Sequence, residues 1–369
     1  MTRRAYVHRL AAKAPDDVSA FESAVRAGRI DPQSVVAIFG KTEGNGCVND
    51  FTRGFATRAL RDALAKAGHA GADDVCLVMS GGTEGAMAPH FLAFEARDVD
   101  EAPRAGALAV GRARTPDLPY ADLGRLAQVD LVAEGVRRAM RDGDIDDPAD
   151  VHFVQIKCPL LTGERIAQAD AAGARVAVRD TLKSMGLSRA ATALGIAVAL
   201  GEVRREAVRE DMIGRDWSVF SSRASTSAGV ELIDHEIVVL GASPRWAGPL
   251  GIAHAVMADS IDVEPVREAL ARLGLPAAGQ VAARERARIV AVLAKAEASS
   301  TGSLRGHRHT MLDDSDISAT RHARAFVAGA LAGLIGHCEI YVSGGAEHQG
   351  PDGGGPVAII ADMRQEMRQ

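Results

Sequence analysis

The chain has 369 residues, of which 47% are hydrophobic and 4% aromatic, and its formal net charge at pH 7 is −5. This length and apolar share are enough for one to three globular domains with a substantial core. The slightly acidic balance, with basic residues interleaved among acids, argues against a nucleic-acid-binding protein.

The sequence carries no signal for secretion or for membrane insertion. Its N-terminal stretch lacks the apolar run of a signal peptide, and no segment of about 18 apolar residues predicts a membrane span. The four cysteines are widely separated and form no C-x-x-C motif. We therefore expect reduced thiols and a cytoplasmic protein.

Apolar runs of strand length alternate with alanine-rich helical stretches along the chain. The pattern predicts strands over 34–40, 74–80, 151–157, 235–241, 288–295 and 338–344, and helices over 51–68, 188–203 and 320–336. Segments rich in Pro, Gly and Ala at 102–116 and 243–251 indicate boundaries. We therefore predict three units, covering residues 1–103, 112–247 and 253–369.

One short motif occurs once in each unit: serine, a small residue, glycine, any residue, glutamate. The copies are Ser80–Glu84, Ser227–Glu231 and Ser343–Glu347. An apolar, strand-like run precedes each copy, although the run before the second copy, WSVF at 217–220, is looser. Three copies at long and similar spacing indicate an internal triplication.

Lysine and arginine also recur in a fixed order ahead of each serine. A lysine ends an apolar run in each unit, at Lys41, Lys157 and Lys295. A hydroxyl residue followed by arginine then lies on a predicted helix, which gives Arg53, Arg189 and Arg321. The shared order strengthens the interpretation as a triplication.

These residue types suit attack on a carbonyl group. A serine hydroxyl needs a base, and a lysine whose pKa is lowered by burial can act as one. Arginine offers a planar fork of donors to carbonyl oxygens. Backbone amides at residues 81–82, 228–229 and 344–345 could stabilise an oxyanion. We expect the three glutamates of the motif to orient a lysine or an arginine, or to cap a helix, rather than to act as general acids.

The stretches 80–85, 221–232 and 341–351, with the repeated Lys, Arg and Ser residues, resemble the cyanuric acid hydrolase and barbiturase family of ring-opening amidohydrolases. The resemblance covers nearly the whole chain. It implies an α+β fold of three concatenated homologous repeats, which form a pseudo-threefold central β-barrel surrounded by helices. It also implies a homotetramer that acts on a small cyclic amide.

The resemblance implies that Lys157 and Ser227 are the catalytic pair and that no catalytic cofactor is needed. The middle copy departs from the other two by Ala228 in place of glycine, which favours its specialisation. Lys41 and Lys295 would be supporting lysines. The implied substrate-binding residues are Arg53, Ser80, Gly81, Arg189, Ala228, Arg321, Ser343 and Gly344. Arg324 is an alternative to Arg321, which the hydroxyl–arginine pairing favours.

The glycine-rich segment near the C-terminus resembles the family's loop for a structural divalent cation. Oxygen ligands of this kind suit Mg²⁺ or Ca²⁺. The implied ligands are Glu297 and the carbonyl groups of Ala346, Gln349, Gly350, Pro351 and Gly354. The choice of Glu297 rests on the resemblance alone.

The implied activity is the opening of cyanuric acid to carboxybiuret, which loses carbon dioxide to give biuret. A barbiturase that opens barbituric acid to ureidomalonate is the first alternative, although three intact motif copies favour the symmetric substrate. A non-catalytic small-amide-binding protein would need the serines and arginines but not three lysines. An unrelated Ser–Lys amidase would leave two motif copies unexplained.

Overall fold

The computed structural model describes residues 1–364. The α-helices in this range are α1 (Ser19–Arg26), α2 (Phe51–Lys66), α3 (Leu126–Asp142), α4 (Gly163–Ala171), α5 (Thr181–Ala199), α6 (Glu264–Arg272), α7 (Ala283–Arg286) and α8 (Ala319–Ile335). The strands are β1 (Thr2–Ala11), β2 (Val35–Thr42), β3 (Cys76–Gly81), β4 (His90–Val99), β5 (Leu108–Arg114), β6 (Val151–Pro159), β7 (Ala224–Gly229), β8 (Glu236–Ala242), β9 (Trp246–Ala247), β10 (Leu250–Met257), β11 (Ile289–Ala296), β12 (Ser303–Leu304), β13 (His307–Arg308), β14 (Tyr341–Gly344) and β15 (Gly355–Asp362).

Three sheets with the same strand order form the framework. The shared orders are β3-β2-β4-β1 in the first sheet, β7-β6-β8-β5 in the middle sheet and β14-β11-β15-β10 in the last; in the first sheet the two-residue β9 also pairs with β1 at the edge. In each sheet the second and third strands along the chain are parallel, and the fourth runs antiparallel between the second and the first. The predicted α+β class is confirmed.

The sheets face one another across a common core. Alternate side chains of a strand point to opposite faces, so each sheet has an inner and an outer face. Phe39, Phe94, Phe153, Leu293 and Tyr341 come from all three sheets and lie in one buried cluster. The outer faces of the first and last sheets pack on helices in two further clusters. Functional side chains on the inner faces are therefore held by apolar packing from three sides.

The three sheets are hydrogen-bonded separately, and among residues 1–364 they form no closed hydrogen-bonded barrel. Side chains cross between them instead. Lys157 Nζ donates to Met79 O of the first sheet at 2.7 Å, and Lys295 Nζ donates to Thr226 O of the middle sheet at 2.9 Å. The lysines thus tie neighbouring sheets together.

Most predicted elements are confirmed to within a few residues, with three differences. The helix predicted over 188–203 begins earlier, at Thr181, because Asp180 caps its first turn by accepting from Lys183 N. The predicted limits at 112 and 253 fall inside β5 and β10, since their small residues resemble a linker in sequence. The run WSVF is not a strand; the strand that carries Ser227 is the polar β7. Residues 365–369 of the predicted third unit lie outside the described range.

Candidate active site

Each predicted lysine lies beside its predicted serine on neighbouring parallel strands. Lys41 is paired with Ser80, Lys157 with Ser227 and Lys295 with Ser343 in the strand register. Directly paired residues project from the same face of a sheet, so each pair points towards the inner face. All six side chains are buried, and Ser227 is the most exposed of them at 7%.

The three serines meet at one narrow pocket. It is lined by Ser80, Ser227 and Ser343, by the following residues Gly81, Ala228 and Gly344, by Arg53, Arg189 and Arg324, and by Gly46 and Met185. The structure therefore brings together all the predicted substrate-binding residues except one arginine. The three lysines lie behind the serines rather than in the lining.

That arginine is Arg321, and the structure corrects its placement. Arg321 is about one-third exposed and its Nε lies 3.9 Å from Glu84 Oε1, outside the pocket lining. Arg324, one helical turn later on α8, is buried and takes the third pocket position. The hydroxyl–arginine pairing failed because the pocket arginine is not at a fixed distance from the start of its helix.

Two pocket arginines are fixed by a motif glutamate from the next unit. Arg189 Nε and Nη2 donate to the two carboxylate oxygens of Glu347 at 2.8 and 2.6 Å. Arg324 donates in the same way to Glu84 at 3.0 and 2.5 Å. A bidentate pair fixes the guanidinium plane, so the remaining nitrogen can face the pocket. The predicted orienting role of these glutamates is confirmed.

The arginine of the first unit is held differently. Arg53 reaches into the middle unit, where its Nη1 donates to Ala228 O at 2.8 Å. Its Nη2 donates to Cys47 O of its own unit at 2.6 Å. Its Nε is buried and has no hydrogen-bond partner among residues 1–364. By the pattern of the other two arginines, Glu231 would be its partner. Glu231 is engaged elsewhere.

The outer two lysines are hydrogen-bonded to their serines. Lys41 Nζ donates to Ser80 Oγ and Lys295 Nζ to Ser343 Oγ, both at 3.2 Å. Burial, with the nearby Arg324, holds the pKa of Lys41 well below its usual range. Burial, with the nearby Arg189, lowers the pKa of Lys295 to about 7.

The middle lysine has an ion-pair partner instead. Lys157 Nζ lies 2.7 Å from Glu231 Oε1 and shares Met79 O with Ser227, whose Oγ donates to that carbonyl at 3.5 Å. Burial lowers the pKa of Lys157, while the Glu231 carboxylate opposes this shift. The structure thus places Lys157 and Ser227 side by side without a direct hydrogen bond between them.

The backbone after each serine accounts for this asymmetry. Gly82 and Gly345 have left-handed φ angles of +101° and +77°, whereas Gly229 does not adopt a positive φ. A Cβ added at Gly229 would lie 2.1 Å from Glu231 Oε2. The middle turn therefore folds Glu231 back over Gly229 towards Lys157.

The amides expected to form an oxyanion pocket are only partly available. The Gly82 N–H donates to Thr42 O at 2.8 Å, so it is already used within the fold. The guanidinium groups that line the pocket are the stronger donors there, since a hydrogen bond from a charged group is about twice as strong as a neutral one.

One residue that sequence reasoning missed explains a pocket glycine. Asp50 caps α2 by accepting from Thr52 N at 3.0 Å and also accepts from Gly46 N at 2.8 Å. A Cβ at Gly81 would lie 1.8 Å from Asp50 Oδ2, so only glycine fits there. An aspartate directly before a helical pattern is an N-cap signal that could have identified it. Gly46 and Met185 gave no such signal.

The implied cation ligands include one carboxylate, that of Glu297, which is buried. Burial and the neighbouring Glu347 raise the pKa of Glu297 to about 6, and its Oε1 accepts from Ala298 N at 3.0 Å. No lysine or arginine of residues 1–364 forms a salt bridge with it. The carbonyls of Ala346 and Pro351 each accept one backbone N–H at 2.9 Å, which leaves a lone pair on each.

One carboxylate with backbone carbonyls is a donor set that suits a hard cation, which would neutralise the buried charge of Glu297. Residues 1–364 hold no cluster of three or more His, Cys, Asp or Glu that could bind a metal. Such a site would therefore depend on a single carboxylate and on backbone carbonyls.

Fold and site together define a mixed α+β protein with a polar pocket built from serine, lysine and arginine of three sheets. A family model described as amidohydrolase ring-opening protein matches residues 6–362. The chain belongs to that family.

Relatives and solved structures agree over nearly the full length. A cyanuric acid amidohydrolase of Bradyrhizobium sp. (strain ORS 375) is 62% identical over 367 residues, which cover 98% of each chain. The crystal structure of the cyanuric acid hydrolase from A. caulinodans matches with a TM-score of 0.90 and 61% identity, over 98% of this chain and 99% of that one. A structure of a cyanuric acid hydrolase, described as an innovation by structural concatenation, matches with a TM-score of 0.93 and 46% identity, over 98% of this chain and 100% of that one.

Proposed function

We propose that this protein is a cyanuric acid amidohydrolase, which opens the s-triazine ring by hydrolysis. The observation that carries the proposal is the meeting of three serines and three arginines, one of each from every unit, at a single pocket. Cyanuric acid has three equivalent carbonyls and three equivalent N–H groups, so a pocket with threefold chemistry complements it. The names of the relatives support the same substrate.

Barbituric acid is the substrate to distinguish from it, because one ring nitrogen is replaced by CH₂ and the threefold symmetry is lost. A non-catalytic amide-binding protein is the other alternative. It is disfavoured by three lysines buried beside three serines, since burying a lysine without a role is costly.

In the proposed reaction Lys157, in its neutral form, takes the proton of Ser227 as the serine oxygen attacks a ring carbonyl. The arginines that line the pocket stabilise the resulting oxyanion. The C–N bond then breaks, the ring nitrogen takes the proton from the Lys157 ammonium, and an acyl-enzyme forms that retains every atom of the substrate. Water releases carboxybiuret, which loses carbon dioxide to give biuret.

The asymmetry of the middle unit supports the choice of this pair. Lys157 is the one lysine of the three that contacts its own motif glutamate, and both Lys157 and Ser227 contact Met79 O. A carboxylate beside Lys157 stabilises the ammonium that forms when the lysine accepts a proton. Lys41 and Lys295 lack this partner, and Glu84 and Glu347 bind arginines instead.

Substitution Glu231→Gln tests this arrangement through the pH dependence of kcat. The Glu231 carboxylate raises the pKa of Lys157, so its neutralisation should lower that pKa and move the acid limb of the profile to lower pH. Glu84→Gln is the matched control, because Glu84 pairs with Arg324, and it should leave the limb unmoved. An unmoved limb in Glu231→Gln would contradict the role given to Glu231.

We further propose that the three units are homologous repeats around a pseudo-threefold axis. Their identical strand order, the identical lysine–serine register and the Arg189–Glu347 and Arg324–Glu84 links from unit to unit support this. Among residues 1–364 no helix is long and apolar enough to span a membrane. The homotetramer and the cytoplasmic location stay predictions.

A divalent cation, Mg²⁺ or Ca²⁺, is proposed as a structural ligand of Glu297 and the carbonyls of the 346–354 loop. Removal of the ion with EDTA should lower the melting temperature by a few degrees, and added Mg²⁺ or Ca²⁺ should restore it, because a ligand bound only to the native state stabilises it. Glu297→Gln should abolish the response. Equal melting temperatures with and without EDTA would contradict the site.

The test of the proposed function is turnover of cyanuric acid and barbituric acid by the purified protein, followed as loss of ring absorbance. We expect opening of cyanuric acid with clear preference over barbituric acid. A preference for barbituric acid would move the assignment to barbiturase. Saturable binding of either ring without opening would favour the binding protein.

A further inference from the structure

A second layer of side chains lies beneath the three lysine–serine pairs. Residues two positions earlier on the same strands point to the same inner face. In the first unit this layer consists of Phe39 and Val78, in the middle unit of Gln155 and Ser225, and in the last of Leu293 and Tyr341. Only the middle pair, Lys157 and Ser227, has polar side chains at both positions beneath it.

The polar side chains of this layer have no partners in the protein. Gln155 and Ser225 are both 0% exposed and are neighbours in the β6–β7 register. The Gln155 Nε2 and Oε1 atoms and the Ser225 Oγ atom are buried without a hydrogen-bond partner among residues 1–364.

Such a cluster implies a ligand. A buried amide or hydroxyl without a hydrogen bond destabilises the fold, and native proteins almost always satisfy these groups. Where protein atoms do not, an ordered water commonly does, and it needs two to four polar partners. Gln155 supplies a donor and an acceptor, and Ser225 supplies both in one group.

The position of the cluster relates it to the reaction. The cluster lies directly under Lys157 and Ser227. Under the other two serines the equivalent residues are Val78 and Tyr341. Under the other two lysines they are Phe39 and Leu293. A polar layer at this depth can stabilise a cation that forms above it. Only the middle pair has polar side chains at both positions of the layer, and the one other polar group in it is the buried hydroxyl of Tyr341.

We propose that Gln155 and Ser225 bind a buried water beneath Lys157 and Ser227, and that both residues act as positioning residues for the middle pair. The proposal rests on the proposed function, in which Lys157 is the base. The water, oriented by the Gln155 amide and the Ser225 hydroxyl, presents its oxygen to the ammonium that Lys157 becomes when it takes the serine proton. It takes no part in bond making.

The chain itself supplies the test variants. Gln155→Leu and Ser225→Val place in the middle unit the residues found at the same positions of the other units, Leu293 and Val78. We expect kcat for cyanuric acid to fall by about tenfold or more in the double variant, since the lost hydrogen bond is one to a charged group. KM should stay within about twofold, because neither residue lines the pocket.

The pH profile separates this role from a merely structural one. Loss of a group that stabilises the ammonium lowers the pKa of Lys157, so the acid limb of kcat should move to lower pH in the double variant. Ser225→Thr keeps the hydroxyl and should retain the parent limb and most of kcat. Leu293→Met, in the same layer of the last unit, is the packing control and should change neither. Melting temperatures of all variants verify that they are folded.

A high-resolution crystal structure gives a readout independent of activity. Ordered water within hydrogen-bond distance of both Gln155 and Ser225, absent in the double variant, is the expected result. A dry site, or a folded double variant whose kcat and acid limb match the parent, would overturn the inference. Failure of the parent to open either ring, with the water present, would instead overturn the proposed function.

Discussion

Ser227→Ala is expected to lower kcat for cyanuric acid about 1000-fold or more while substrate binding is retained. The substitution removes the attacking oxygen, and the arginines and two further serines that hold the ring stay in place. Lys157→Met should give a loss of similar size, because the serine then has no base. Steady-state turnover and a direct measurement of substrate binding to the inactive variants test both.

The symmetry of the site supplies matched controls for this prediction. Ser80→Ala and Ser343→Ala each remove one hydrogen bond to a bound ring, so kcat/KM should fall by only about tenfold. The opposite ranking, with Ser80→Ala inactive and Ser227→Ala active, would place the nucleophile in the first unit. There Lys41 Nζ already donates to Ser80 Oγ at 3.2 Å.

Arg324→Ala should raise KM for cyanuric acid about 100-fold. The guanidinium is buried, lines the pocket and is fixed by two hydrogen bonds to Glu84. A hydrogen bond from a charged donor contributes about 1.5–3 kcal/mol, which corresponds to this loss. Arg324→Lys should recover only part of it, because lysine lacks the planar fork. Steady-state kinetics over a wide substrate range measure the effect.

Arg321→Ala is the control, three residues away on the same helix. The Arg321 side chain is 35% exposed and its Nε is 3.9 Å from Glu84 Oε1. Exposed pairs at that distance contribute little, so KM should stay within about twofold of the parent. A large effect at Arg321 with none at Arg324 would restore the assignment made from sequence.

The sequence predicts the parts of the site that follow strand patterns. Lys41 and Lys295 lie at the ends of predicted strands and Ser80 and Ser343 lie in predicted strands. The parallel pairing of Lys41 with Ser80 and of Lys295 with Ser343 comes from the structure. The strand of Ser227 could not be placed by hydrophobicity, because β7 is made of Ala, Ser, Thr and Gly. Its apolar neighbour WSVF was chosen wrongly for that reason.

Features set by three-dimensional geometry were beyond sequence reasoning. Arg324 occupies the pocket because of where α8 lies against Glu84, which residue spacing does not encode. The contact between Glu231 and Lys157 depends on the φ angle at Gly229, although all three motif copies carry glycine there. The replacement of glycine by Ala228 was visible in the sequence, and it marks the middle unit, which is the one whose lysine contacts differ from the other two.

The most direct test of the account is to locate the acyl-enzyme. Protein quenched in acid during turnover of cyanuric acid would be digested and analysed by mass spectrometry. Because ring opening expels no leaving group, the modified peptide should gain the full mass of one substrate molecule. We predict this gain on the peptide that contains Ser227. The same gain on a peptide containing Ser80 or Ser343 would contradict the assignment of the middle pair.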